Sequence, residues 1–179
     1  MKLHHILLAG ALALPVSALG AEGAGGEVAA FWQKCQSQIG TPPADGFYRV
    51  RQFGRDAERS GRILNFIALG EKTVTFTSPW IYEGKRALTP VAGGYTVVND
   101  FSGVPKLVLK TTAVKTLPYQ DIDETDAQYE GPSVRTQEAW RRVHWDFFTD
   151  ALKPLGKQPS MDMPVTVERF EVVCGKAAG

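Results

Sequence analysis

The sequence predicts a single α+β domain in which short strands form a small mixed β-barrel with flanking helices. Apolar residues recur at helical spacing in residues 28–39 and 140–151. Short segments that alternate between apolar and polar residues lie between and after these helices, separated by Gly, Pro and Asp. Few connections are long enough for a parallel crossover, so a mixed or antiparallel sheet is favoured.

The start of the chain has the layout of a cleaved secretory signal, which predicts a periplasmic or secreted protein. Lys2 is followed by an apolar run, and small-x-small triplets end at Ala18 and Gly20. A membrane anchor is the alternative, but the run is shorter than the roughly 20 apolar residues that span a bilayer. We therefore expect no membrane contact after cleavage. The expected division is a signal peptide at residues 1–20, a spacer at 21–27 and a folded domain at 28–175.

The charge balance argues against non-specific binding of long nucleic acid. The chain has 20 Lys and Arg against 19 Asp and Glu, and loss of Lys2 with the signal makes the two equal. Proteins that hold long nucleic acid usually carry a basic excess. One segment is nevertheless rich in arginine, and it is either a solvated face or a functional basic patch. Its members are Arg49, Arg51, Arg55, Arg59 and Arg62.

Cysteine and histidine are scarce. Outside the signal, the chain contains Cys35, Cys174 and a single histidine, His144. These residues cannot form the usual Cys/His zinc site without carboxylates, and they leave few ways to build a histidine-dependent triad. We expect no metal and no cofactor, and we read His144 as a core residue. In an oxidising compartment the cysteines either form one disulfide or remain as two buried thiols.

Two helices are predicted before the first strand. The first ends at the Gly-Thr-Pro-Pro run of residues 40–43. Asp56 is expected to cap the second helix, which stops at Gly70. The inward residues are Val28, Phe31, Trp32, Cys35 and Ile39 in the first helix and Ile63, Leu64 and Ile67 in the second.

The strands follow, with one more helix before the last of them. In residues 73–77, Val74 and Phe76 alternate with threonines, which is typical of a half-buried strand. Further strands are expected at residues 95–98, 106–109, 113–117 and 165–174. The intervening helix is predicted to turn inward Trp140, Val143, His144, Phe147, Phe148 and Ala151.

Lys72 and Thr75 are the first candidate catalytic residues. Lys72 lies between a helix stop and a strand, where partial burial lowers the pKa of an amine and makes it available as a base. Such a base can activate a threonine hydroxyl as a nucleophile. The alternative is an ordinary turn lysine beside an exposed strand face. Strict alternation also places Lys72 and Thr75 on opposite faces unless the strand starts irregularly.

Several motifs in register resemble those of the ASCH domain family, over nearly all of residues 28–174. This resemblance implies a PUA-like β-barrel with flanking helices and a cleft for RNA or a nucleoside. It also implies a Cys35–Cys174 disulfide, since the family fold brings the first helix near the last strand. The motifs are Gly70-Glu71-Lys72-Thr73-Val74-Thr75 with Trp80 and Tyr82, Asn99-Asp100, Glu130-Gly131, Trp140-x-x-Val143-His144-x-x-Phe147-Phe148, Met163-Pro164-Val165 and Glu168-Arg169-Phe170.

The resemblance implies a reaction as well as a fold. Some members of the family are amidohydrolases that remove the acetyl group of N4-acetylcytidine with a Lys, a Thr and a Glu. Carried over by motif, these are Lys72, Thr75 and Glu130, with Glu124 as the alternative carboxylate. Another member has been associated with ribonuclease activity. Three functions are therefore expected to compete: a hydrolase of N4-acylated cytidine, an exported ribonuclease and a non-catalytic binding module.

The expected partner is a nucleoside or a short single-stranded RNA, and no protein partner is indicated. Aromatic side chains near the motifs can stack on a base, although packing in the core is the alternative for each. Asp100 either accepts hydrogen bonds from a base edge or makes a turn. The candidate substrate-binding residues are Thr73, Trp80, Tyr82, Asp100 and Tyr129.

Overall fold

The structure, a computed structural model, describes residues 18–42 and 45–175. Residues 1–17, which make up most of the predicted signal peptide, lie outside the described residues. None of the helices in the described part of the chain is long and apolar enough to cross a membrane.

A curled five-stranded sheet forms the centre of the domain, in the order β1-β3-β4-β5-β2. The first strand pairs with β3 in parallel, and all other pairs are antiparallel. The predicted mixed, curled sheet is therefore confirmed, and it forms a half-barrel. The strands are β1 (Arg49–Gln52), β2 (Val74–Thr77), β3 (Tyr95–Asn99), β4 (Pro105–Pro118) and β5 (Pro164–Cys174).

Two details of the strand prediction are wrong. Strand β1 was not predicted, because four residues with two arginines carry no apolar alternation. The segments 106–109 and 113–117 form a single strand, β4, instead of two. Its pairing with β5 shifts between Thr111 and Ala113, so a bulge replaces the predicted turn.

Five α-helices and three short 3₁₀ helices surround the sheet in the described residues. The helices are α1 (Ala18–Gln36), α2 (Ala57–Ala68), α3 (Pro79–Tyr82), α4 (Glu124–Ala127) and α5 (Gln137–Leu152), with 3₁₀ turns at Tyr119–Asp121, Pro132–Val134 and Lys153–Leu155.

Helix α2 begins and ends as predicted, and its end sets the position of Lys72. The Asp56 side chain accepts a hydrogen bond from Arg59 N at 2.7 Å. Past the helix, Gly70 has φ of 73°, a conformation that favours glycine. Lys72 N then donates to Phe66 O at 3.0 Å, which turns the chain back before β2 begins at Val74.

Helix α5 packs on the sheet with a narrower face than predicted. Its buried residues are spaced four apart, so one stripe of the helix contacts the sheet. Val143 and Phe147 were predicted to point inward, but they are 41% and 42% exposed. They lie beside this stripe and face outward. The buried residues are Trp140, His144, Phe148 and Leu152.

Helix α1 packs on β3 and β4 through Val28, Trp32 and Cys35, as predicted. A disulfide joins Cys35 to Cys174 at the end of β5, with a Cα–Cα distance of 5.7 Å. The predicted pairing is therefore present in the structure. This bond ties the N-terminal helix to the last strand of the sheet.

The two faces of β2 and β5 have different environments. Val74 and Phe76 join the apolar core under α5. Thr75 lies on the opposite face, where it pairs in register with Glu168. This inner, concave side of the half-barrel carries buried polar side chains, among them Thr75 and Glu168.

Candidate functional site

Lys72 and Glu130 form a buried ion pair at the start of β2. Each residue is 6% exposed, and Lys72 Nζ donates a hydrogen bond to Glu130 Oε2. The same carboxylate oxygen accepts from Gly131 N at 3.1 Å. The other oxygen, Oε1, lies 3.5 Å from Nε2 of His144. The carboxylate is thus surrounded by donors, as a buried charge requires.

Backbone contacts bring these distant residues together. Thr73 N donates to Tyr129 O at 2.9 Å, which fixes the segment before Glu130 against the start of β2. Arg135 strengthens this junction: its Nε donates to Glu130 O at 2.9 Å and its Nη2 to Glu71 O at 2.7 Å. No sequence pattern indicated Arg135, because it acts on main-chain oxygens of two separate segments.

Burial and mutual attraction set the protonation of the pair. Burial alone would raise the pKa of Glu130, but the charge of Lys72 and the hydrogen bond with His144 outweigh it and lower that pKa to about 2. Burial lowers the pKa of Lys72, and the attraction of Glu130 opposes this only in part. Glu130 is therefore ionised at neutral pH, and the neutral amine of Lys72 is more accessible than in an exposed lysine.

Arg51 forms a hydrogen bond with Thr75, and its charge also acts on this pair. Thr75 is 6% exposed, and its Oγ1 accepts a hydrogen bond from Arg51 Nη2 at 3.4 Å. In the described part of the chain, no hydrogen bond joins Thr75 to Lys72. Lys72 precedes the regular strand, and the charge of Arg51 acts on the pKa of Lys72. Arg51 therefore contacts Thr75 directly and acts on Lys72 and Glu130 through its charge.

Glu168 anchors two arginines in the interior of the half-barrel. It forms an ion pair with Arg49 and accepts a hydrogen bond from Thr111 Oγ1 at 2.7 Å. Arg51 Nη1 approaches its other oxygen at 3.5 Å. Arg49 and Arg51 therefore belong to a buried polar network, whereas Arg55 and Arg62 lie on the surface.

We call the space above this network the inner crevice. It has no room for a ligand in its present form, so binding requires side chains at its mouth to move. Both polar and apolar residues line it. Its lining consists of Arg49, Arg51, Phe53, Thr75, Thr96, Leu109, Glu168 and Phe170.

An open cleft with a volume of about 440 Å³ lies beside α3, and we call it the Trp80 cleft. Lys157 Nζ sits 4.7 Å from the centre of a Trp80 ring. Tyr82 hydrogen bonds with Thr166 across 2.5 Å between the two hydroxyl oxygens. Thr166 is two residues from Glu168, so both side chains face the inner side of β5. The lining is Pro79, Trp80, Tyr82, Glu83, Gly84, Thr89, Lys157 and Pro164.

Comparison with known proteins decides the family. The model of the ASCH domain matches residues 49–174. The chain belongs to the ASCH domain family. The curated proteins contain no significant match to it.

Solved structures show the same fold. The ASCH domain from Lactobacillus crispatus JV V101 superposes with a TM-score of 0.73 at 24% identity, over 83% of this chain and 94% of that one. Protein EF3133 from Enterococcus faecalis V583 gives a TM-score of 0.71 at 30% identity, over 83% of this chain and 88% of that one. The PUA-like fold predicted for this ASCH domain is therefore confirmed.

Of the remaining predicted site residues, some lie beside the Lys72–Glu130 pair and others do not. Thr73 and Tyr129 lie beside the ion pair, but the Tyr129 ring is covered by the guanidinium of Arg169, 3.2 Å from its centre. Asp100 is used elsewhere: its carboxylate accepts from Ser102 N and Val104 N in the turn between β3 and β4. This geometry fits the turn interpretation of Asp100.

His144 is a core residue with a second role. Its ring stacks on Trp140, with ring centres 4.5 Å apart, and Nδ1 lies 3.0 Å from Trp140 O. Nε2, on the other side of the ring, lies 3.5 Å from Glu130 Oε1, so both ring nitrogens face acceptor oxygens. The helical spacing correctly indicated burial, but only the fold brings the ring to the carboxylate. Within residues 18–42 and 45–175 no group of three or more potential metal ligands occurs.

Proposed function

We propose that this ASCH domain binds an N4-acylated cytidine, as a nucleoside or in a short RNA, and hydrolyses its amide bond. The observation that carries the proposal is the buried Lys72–Glu130 pair, which interacts through charge with Arg51, the residue that donates to the Thr75 hydroxyl. Amide hydrolysis requires a nucleophile, a base and an acid for the leaving amine. Thr75 supplies the first of these groups, and Lys72 supplies the other two in succession.

The state of the pair supports this assignment. Glu130 is ionised and therefore holds and orients Lys72 without donating a proton itself. Burial favours the neutral form of Lys72, which can accept the proton of Thr75. The resulting ammonium then returns this proton to the departing N4 atom. The resulting acyl-Thr75 ester is cleaved by water, which releases the acid.

Size and charge support a small substrate. The inner crevice has no room for a ligand in its present form, and a local movement that admits one modified base is a smaller change than one that admits a long strand. Equal numbers of acidic and basic residues after removal of the signal give no general attraction for phosphates. The Trp80 cleft offers an aromatic surface for the rest of a nucleoside or for a neighbouring base.

The test compares variants on N4-acetylcytidine, free and within a short single-stranded RNA. Lys72→Ala is expected to lower kcat/KM roughly 10²-fold or more, the usual scale for an acid–base group. Thr75→Ser is expected to keep part of the activity because the hydroxyl remains, and Thr75→Ala to lose it. Matched controls are Lys153→Ala and Thr112→Ala, two exposed positions that should retain wild-type rates.

Stability needs its own control. Removal of Lys72 leaves Glu130 buried without its partner, which costs about 3–5 kcal/mol. The double variant Lys72→Met/Glu130→Gln removes both charges and should fold better while remaining inactive. Activity of Lys72→Ala at the wild-type rate would refute the mechanism. Binding of cytidine or RNA without turnover by the wild type would favour the binding module, and cleavage of the RNA strand would favour the ribonuclease.

A further inference from the structure

The geometry points to Arg51 as the donor that stabilises the oxyanion formed when Thr75 attacks the acyl carbonyl. The inference rests on the proposed function and adds a residue to its catalytic machinery. Arg51 Nη2 lies 3.4 Å from Thr75 Oγ1. In the tetrahedral intermediate, the attacking oxygen and the oxyanion are bonded to the same carbon atom. A donor that touches Oγ1 is therefore close to the oxyanion as well.

The two arginines of β1 differ in how many of their N–H donors are already hydrogen bonded within the protein. Arg49 has 6% of its side chain exposed, and it pairs with Glu168 and also contacts Thr111 and Leu88 O. Arg51 has 26% of its side chain exposed. Its hydrogen bonds to other described residues are 3.4 and 3.5 Å long, beyond the usual 2.7–3.2 Å range. A guanidinium has five N–H donors, so Arg51 retains donors for a ligand.

Arg51 is also held in place. Its guanidinium carbon lies 4.6 Å from the centre of the Phe53 ring, which restrains the plane of the group. Glu168 also attracts it, and Glu168 is itself fixed by Arg49 and Thr111. A fixed charged donor in a partly buried site stabilises a developing negative charge strongly, because it does not reorganise during the reaction.

The Oγ1–H proton of Thr75 passes to neutral Lys72 as the bond from Oγ1 to the acyl carbon forms. The π electrons of the carbonyl move to its oxygen, which accepts hydrogen bonds from Arg51. When the bond from carbon to N4 breaks, its electron pair goes to N4, which takes the proton from Lys72. Arg51 keeps all its protons throughout.

The test measures kcat and KM of Arg51→Gln and Arg51→Lys with N4-acetylcytidine. Loss of one oxyanion donor typically costs about 10²–10³-fold in kcat. We expect a loss of this size for Arg51→Gln with little change in KM, and a smaller loss for Arg51→Lys, which keeps the charge. The matched control is Arg55→Gln, from the same arginine-rich segment but on the surface, which should behave as wild type.

A second readout separates catalysis from a purely structural role. Sulfur accepts hydrogen bonds more weakly than oxygen, so replacing the acetyl oxygen by sulfur should slow the wild type more than Arg51→Gln. Equal slowing of both enzymes, or a wild-type kcat for Arg51→Gln, would overturn the assignment of Arg51 alone. Failure of the wild type to hydrolyse any N4-acylated cytidine would overturn the proposed function and this assignment with it. If Arg51→Gln does not fold, Arg51→Lys provides the same comparison.

Discussion

At the scale of single residues, the most unusual feature is the burial of two opposite charges. Removing a charged group from water costs several kcal/mol, and attraction repays this only with good geometry and further hydrogen bonds. Glu130 has them, from Lys72, Gly131 N and the neighbouring His144. The folded protein therefore tolerates these two buried charges as a pair, whereas either charge alone would destabilise it. A substitution of either residue alone is therefore expected to lower stability as well as activity.

The lowered pKa of Glu130 predicts a loss of stability in acid. The pKa falls from 4.5 to about 2 in the folded protein, so the unfolded state binds the proton first. The contribution is present above about pH 5 and is lost as the pH falls toward 2, and it amounts to about 3 kcal/mol. Urea unfolding from pH 6 to pH 2 measures it as a difference between the wild type and Lys72→Met/Glu130→Gln.

This difference is needed because Asp100 and Asp123 also have lowered pKa values and add their own acid dependence. Both carboxylates are unchanged in the double variant, so their contributions cancel. The variant should show a flatter loss of stability with acid than the wild type. Parallel curves for the two proteins would contradict the role given to Glu130.

Arg135 is predicted to affect activity by positioning Lys72 and Glu130. It connects Glu71 O to Glu130 O and so holds together the segments that present Lys72 and Glu130. Arg135→Ala should lower activity on N4-acetylcytidine roughly 10- to 10²-fold, because small displacements of catalytic groups are costly. Arg142→Ala, at an exposed position of α5, is the control. Unchanged activity in Arg135→Ala would show that the junction holds without this side chain.

At the scale of elements, helix α5 is held by a single stripe of large side chains. Phe148 is fully buried against the sheet, whereas its neighbour Phe147 is 42% exposed. The two residues have the same chemistry, so they form a matched pair. Their environments differ because the four-residue spacing that turns Phe148 inward leaves Phe147 at the edge.

Phe148→Ala is expected to destabilise the protein by about 3–5 kcal/mol, since it removes buried apolar surface and leaves a cavity. Phe147→Ala should cost far less, because a large part of its ring already contacts solvent. Denaturant unfolding of the two variants at one pH measures the contrast. Similar losses for both would mean that α5 packs through the wider face that its sequence predicted.

At the scale of the whole molecule, the disulfide is the covalent link between the two ends of the fold. Cys35 in α1 and Cys174 in β5 are separated by 139 residues in sequence. A bond across such a long loop restricts the unfolded chain strongly. The double variant Cys35→Ala/Cys174→Ala should lose about 2–5 kcal/mol of stability. Equal unfolding midpoints for oxidised and reduced wild type would contradict this expectation.

The disulfide also supports a proposal about location. We propose that the protein is periplasmic or secreted, because disulfides persist in oxidising compartments and the chain starts with a signal-like segment. Mass spectrometry of the protein from its native host should find a mature N-terminus at Leu19 or Ala21. A protein that retains Met1 and has two free thiols would refute the proposal.

Elements that have local physical causes could be predicted from the sequence. Asp56 and Gly70 marked the ends of α2, since capping and left-handed backbone depend on the residue at that position. Alternation in β2 and helical spacing in α1 identified their buried residues for the same reason. Motif resemblance added the family, and with it the Cys35–Cys174 pairing.

The tertiary structure decided everything that depends on contacts between distant segments. Strand β1 is too short and too charged to be recognised alone, and it exists because it pairs with β3. Its residue Arg51 becomes a site residue only when curling of the sheet brings β1 near Thr75 and Glu168. Lys72 and Glu130 meet because main-chain hydrogen bonds join their segments across 58 residues of sequence. Residue type fixes chemical capacity, but the fold alone sets burial, distance and hence protonation.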